Sequence, residues 1–122
     1  METGKNPILA KSFEFALDII EYTELLEENR KYVIARQLLK SGTSIGANIR
    51  EAQSAESLND FVHKMKIAAK EADETEYWLL LCNHAKNYPE PDGLINKNKE
   101  LIKLLTSIIA SSKSKLNAQK SL

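Results

Sequence analysis

An all-α fold, an antiparallel up-down four-helix bundle, is predicted by three observations. Four segments carry apolar residues at alternating steps of three and four. The breaks between them are short, and the prolines stand at segment edges rather than inside. No stretch alternates apolar and polar residues as a half-buried strand would. With 122 residues the chain fits one domain, able to bury a core without disulfides or metal. Short connections make sequential helices antiparallel neighbours.

The first helix is expected over about 7–29. It opens at Asn6-Pro7, a cap residue followed by proline at the first helical position. Leu9, Phe13, Ala16 and Ile20 follow at steps of four, three and four, and Leu17 and Leu25 widen that stripe. The second helix is expected over 31–55, with Ile34, Leu38, Ser41, Ile45, Asn48 and Ala52 in register. The third is expected over 57–87. Ser57 and Asp60 form a capping-box-like start, and Phe61, Met65, Ala68, Ala72, Thr75, Leu79 and Cys82 make an unbroken seam of coiled-coil type. Pro89 and Pro91 forbid its continuation. The fourth is expected over 92–112, on Leu94, Leu101, Leu105, Ile108 and Ser112, supported by Ile95, Ile102 and Ile109. Beyond Ala110 the chain is rich in Ser, Lys and Asn, and a frayed tail is expected.

Two features exceed the needs of a monomeric bundle. Tyr77-Trp78-Leu79-Leu80-Leu81-Cys82 is apolar all round the helix, which a helix with one solvent face should not be. At about 100° per residue, Ile67, Glu71, Glu74, Trp78 and Leu81 share a second stripe, and an aromatic anchor among polar groups has the make-up of an oligomer interface. The other feature is the small-residue run from Ser41 to Asn48. Glycine inside a helix costs about 1 kcal/mol relative to alanine, so Gly42 and Gly46, with Ala47, are expected where another helix backbone comes close. The run is no phosphate loop: the glycine spacing is wrong, no lysine follows Gly46, and no strand precedes it.

Composition excludes several functions. Lys and Arg number 17, as do Asp and Glu, so the net charge is zero and a strongly basic nucleic-acid binder is excluded. Charge is unevenly spread, however: from Pro7 to Arg30 acids outnumber bases six to two, from Lys31 to Ala55 bases outnumber acids four to one, and the last 22 residues hold four Lys and no acid. His63, His84 and Cys82 supply neither the paired Glu-x-x-His motifs of a di-iron bundle nor a tetrahedral zinc set, so no metal and no cofactor is expected. Cys82 lies on the core seam and reads as a small hydrophobe, not a nucleophile. Glu71, Glu74 and Glu76 read as ion-pair partners for Arg36 and Arg50 rather than as acid–base catalysts. No catalytic residue and no small-molecule substrate is predicted. A lone cysteine, no signal-like apolar stretch near the start and no apolar run long enough to span a bilayer predict a cytoplasmic protein that does not enter a membrane.

The run Arg36 to Ala52, RQLLKSGTSIGANIREA, and the run Asp60 to Leu79, DFVHKMKIAAKEADETEYWL, resemble in order and separation the bacterial four-helix-bundle family first noticed as reading frames in intervening sequences of 23S ribosomal RNA genes. The likeness covers nearly the whole chain. It implies a ring-shaped homopentamer, a ribosomal-protein-like label derived from gene context, and a relation to the basic, RNA-engaging accessory protein of diversity-generating retroelements. The zero net charge departs from those basic relatives.

Two functions follow as expectations. The first is a non-enzymatic homo-oligomer acting as an assembly or interaction module, with itself or another protein as partner. The second is an RNA-associated oligomer linked to ribosomal RNA, for which Lys31, Arg36, Lys40, Arg50, Lys113 and Lys115, with Lys120, supply the candidate phosphate contacts. A ring would multiply a weak basic patch by avidity.

Overall fold

Four helices account for nearly all of residues 6–120, the span described by the computed structural model: α1 (Pro7–Glu28), α2 (Tyr32–Ala52), α3 (Leu58–His84) and α4 (Leu94–Lys120). Each packs beside the next in chain order, and α4 closes back on α1 to complete the bundle. No strand occurs among the described residues.

The seam of α3 is as read from the sequence: Met65, Ala68, Ala72, Thr75, Leu79 and Cys82 are all buried, with Phe61 partly so. Its small residues let α4 approach closely enough for the Asn98 Nδ2 to donate to the Ala72 carbonyl at 2.9 Å. On the other side, the Thr75 and Ser41 hydroxyls lie 2.9 Å apart in a hydrogen bond that joins α3 to α2 and satisfies two buried polar groups. In α2 the buried face is Ala35, Leu38, Ser41, Gly42, Ile45, Ile49 and Ala52. Ile34 and Asn48, expected on it, stand at its edge.

The expectation for α1 is overturned. Its buried face is Ile8, Ser12, Phe15, Ile19, Tyr22, Thr23 and Leu26, one residue out of step with the predicted stripe. Phe13, Leu17 and Ile20 are 48%, 52% and 41% exposed. Ile8, Ser12, Phe15, Ile19, Tyr22 and Leu26 also alternate four and three, so α1 carries two adjacent seams and the polar Ser12 and Thr23 disguise the true one. Each hydroxyl is satisfied within the helix, Ser12 by the Leu9 carbonyl (3.2 Å) and Thr23 by the Ile20 carbonyl (3.0 Å). Burying them therefore leaves no donor stranded.

Helix ends follow local chemistry. Pro7 occupies the first helical position, but the Asn6 side chain does not cap the helix; it donates to the Gln53 side chain at 3.1 Å. Arg30 takes a left-handed φ of 63°, and hydrogen bonds from Arg30 N–H to Glu27 O (2.9 Å) and Lys31 N–H to Leu26 O (2.8 Å) close α1 in a Schellman motif. The Ser57 hydroxyl accepts from the Asp60 N–H at 3.0 Å, whereas the shorter reach of aspartate takes its carboxylate to the Glu56 N–H, at 3.3 Å, instead of completing a capping box. The second and third helices stop about three residues before their predicted ends, at Ala52 and His84. Beyond α3, the Tyr22 hydroxyl donates to the Pro89 carbonyl at 2.6 Å, and the Lys31 ammonium lies 4.8 Å over the Tyr88 ring, pinning the α3–α4 connection to the α1–α2 corner.

The fourth helix does not fray after Ala110; it continues to Lys120. Ser112 stays buried and Leu116 half-buried, because this last stretch lies along the first turns of α3 near Asn59, Val62 and Lys66. Lys, Leu, Ala and Gln, good helix formers, permit it.

The rotation of α1 is set by α2. A Cβ placed on Gly42 would come within 2.9 Å of two γ carbons of Ile19, and one on Gly46 within 3.3 Å of the Ser12 carbonyl oxygen. Ile19 is branched at Cβ and cannot swing aside. Overpacking of this kind costs about 1–3 kcal/mol, against a gain of about 1 kcal/mol in helix propensity from Gly to Ala. Gly42→Ala is therefore expected to lower stability by about 1 kcal/mol, while the looser Gly46→Ala is close to neutral; urea unfolding midpoints of the two variants check the order.

Candidate assembly interface

The outward side of α3 holds the aromatic pair. Tyr77 is 57% exposed and meets Trp78 edge-on, centroids 5.3 Å apart at 64°. Trp78 is half-buried against the core, and its Nε1 donates to Glu74 Oε2 at 3.2 Å. Leu81 is 38% exposed, Leu80 is similarly open, and Ile67 is partly buried. The aromatic anchor presented to solvent is thus Tyr77, next to the Trp78 singled out from the sequence. Trp78, packed partly against the core, lies one turn from Glu74 on the flank of α3.

Glu71 sits partly buried on that flank. Burial and the neighbouring Glu74 hold its carboxyl above the usual range, opposed by the Lys40 and Lys70 ammonium groups. The expected pairing with Arg36 and Arg50 does not form. The ion pairs among the described residues are Lys11–Glu100 (3.4 Å), Lys64–Glu51 (3.9 Å) and Lys97–Asp18 (2.6 Å). Arg50 lines the groove toward α1, whereas Lys40 is the α2 cation that lies near Glu71.

A second apolar surface runs along α1 and was not anticipated as one. Phe13, Leu17 and Ile20 form its ridge, at i, i+4 and i+7, and the exposed Leu39 of α2 continues it. Between the two helices lies a groove of about 230 Å³, walled by Leu9, Phe13, Ala16, Thr43 and Ala47, with Gly46 in its lining and Arg50 at its edge. Gly42 and Gly46 thus meet α1, while Ala47 is exposed in the groove rather than packed within the bundle. The signal available in the sequence was the doubled seam of α1, which spreads apolar residues over more than one face.

Residues 4–107 match the model of the family described as 23S rRNA-intervening sequence protein. This chain belongs to that family. A solved structure, described as a protein with unknown function from the S23 ribosomal protein family of Bacteroides thetaiotaomicron VPI-5482, is 47% identical and superposes with a TM-score of 0.78, covering 84% of this chain and 97% of that one. No curated protein matches. Family membership accounts for the four-helix fold and leaves the chemistry to this chain's own surface.

On that surface the basic residues suggested for RNA in a 23S rRNA-intervening sequence protein are dispersed. Lys31 is engaged over Tyr88, Lys40 faces Glu71, Arg50 lines the α1–α2 groove, Arg36 is exposed on α2, and Lys113 and Lys115 lie near the end of α4. One cluster does form there: Lys66, Lys113 and Lys120 line a shallow groove with His63, and the nearness of Lys113 holds the Lys66 ammonium below its ordinary pKa. Cys82 is buried, which pushes its thiol up and away from reactivity. Among the described residues no three His, Cys, Asp or Glu side chains converge as a metal site, and no helix is long and apolar enough to cross a membrane.

Because folding raises the Glu71 pKa, its charged form costs stability. The contribution is most favourable below the ordinary carboxylate range, near 4.3, and is lost as pH rises through the raised value. Glu71→Gln is expected to raise the melting temperature slightly at neutral pH and to have no such effect at about pH 3, where the wild-type side chain is already neutral. Calorimetry at both pH values checks the sign, and equal effects at both would contradict it.

Proposed function

We propose that this 23S rRNA-intervening sequence family member is a non-enzymatic assembly module, a homo-oligomer that closes into a ring, with the pentamer implied by the family resemblance as its expected size. The observation that carries the reading is the line of large apolar side chains on α1, Phe13, Leu17 and Ile20, each more than two-fifths exposed, with Phe13 at the wall of an open groove. A contiguous apolar ridge rimmed by charges is the mark of a surface covered by another protein. The exposed Tyr77, Leu80 and Leu81 on α3 add a separate patch of the same kind. The absence of a reactive role for Cys82 follows from its burial, and a lone free cysteine fits a reducing, cytoplasmic setting.

A second reading, association with RNA, is favoured by one observation: Lys66, Lys113 and Lys120 gather beside one groove with like charges close enough to perturb each other, an arrangement a phosphate would relieve.

Native mass spectrometry on protein purified at low salt without nuclease tests both. A multiple of the chain mass, five-fold for the expected pentamer, with no adduct supports the assembly module. A ring carrying RNA that dissociates steeply as salt rises would put nucleic acid first. A bare monomer would overturn the assembly reading.

A further inference from the structure

We propose that the two exposed apolar surfaces are the two halves of one contact, the Tyr77 side of α3 on one copy seating in the α1–α2 groove of the next. The inference rests on the assembly reading above and names its interface. The surfaces lie on different helices, and they differ in shape and charge. The groove is a hollow of about 230 Å³ with small residues, Ala16, Gly46 and Ala47, in its lining, while Tyr77 is a protruding ring, 57% exposed. Aromatic knobs in pre-formed apolar pockets are the usual centres of protein contacts.

Charge identifies the occupant as a second copy. Arg50, in the lining of the α1–α2 groove, is exposed and belongs to none of the ion pairs among the described residues. Asp73 and Glu74 stand one helical turn before Tyr77, exposed and likewise outside those pairs. The charged side chain in the groove lining is thus a base, and those one turn from the knob are acids. Each copy offers both, so the contact is head-to-tail; such contacts close into rings when the rotation per copy allows, and otherwise run on as filaments. A neutral chain with segregated charge suits this pairing better than a face that must match itself.

Complementation tests the proposal. Tyr77→Ala removes the knob and keeps the groove; Ala47→Trp fills the groove and keeps the knob. Each variant alone is expected to lose the oligomer while far-UV circular dichroism stays helical. Mixed in equal amounts, they are expected to form a one-to-one heterodimer in native mass spectrometry, because one good contact survives and cannot propagate. Should Trp disturb α2, Ala47→Glu places a charge in the same groove. If both variants keep the wild-type mass, or if the mixture stays monomeric, the pairing of these faces is wrong while a multimeric wild type leaves the assembly reading standing. A monomeric wild type would remove both.

Discussion

The close approach of α1 to α2 at Gly42 and Gly46 is the constraint on which the remaining geometry depends. With no side chain at either glycine, Ile19 packs against the α2 backbone and the Ser12 main chain comes near Gly46. That contact fixes how α1 is turned about its own axis. A helix with two adjacent apolar seams can bury only one of them in the bundle, and the glycines select the seam containing Ser12 and Ile19. The other seam, with Phe13, Leu17 and Ile20, is consequently left at the surface. The groove beside it exists for the same reason, since Gly46 and Ala47 leave space that larger side chains would fill. Packing inside the chain and the surface available outside it are two consequences of one pair of missing Cβ atoms.

How far the fold was legible in the sequence depended on whether each seam had a competitor. In α3 the seam from Phe61 to Cys82 stood alone, and the structure buries it nearly as read. In α1 apolar residues at i and i+1 offered two equally periodic choices, and the one without polar members looked stronger. Local hydrogen bonds of Ser12 and Thr23 to their own helix remove the penalty that made the other choice look poor. Asn98 was missed for a similar reason: it is fully buried on the α4 seam, with its amide nitrogen bonded across to the α3 backbone. Only Asn98 Oδ1 lacks a partner among the buried side-chain atoms described, a cost a purely apolar reading of the seam had no cause to include. The last turns of α4 were unreadable because the packing of Leu116 on α3 is tertiary rather than local.

At the candidate site, which side chains are exposed was less legible than their chemistry. The all-round apolar stretch from Tyr77 to Cys82 leaves Tyr77, Leu80 and Leu81 exposed on α3, with Trp78 partly buried against the core. The assumed pairs of Arg36 and Arg50 with α3 carboxylates do not form, and Arg50 lines the groove toward α1 instead, which the pattern of charges alone does not reveal. Lys97–Asp18 and Lys11–Glu100 instead tie α1 to α4, so part of the acidity of the first helix is matched inside the bundle. Arg50 stands on the other side of α1, in the lining of the α1–α2 groove.

On the proposed assembly, Phe13, Leu17 and Ile20 lie at the surface of the chain and are covered by another copy. Sedimentation velocity of a Leu17→Lys, Ile20→Lys double variant, with its helicity recorded on the same sample, tests it most directly. A folded, helical monomer is expected where the wild type is a larger particle. An unfolded chain would mean that these side chains belong to the core, and a folded particle of undiminished wild-type size would mean that α1 is not the face on which copies meet.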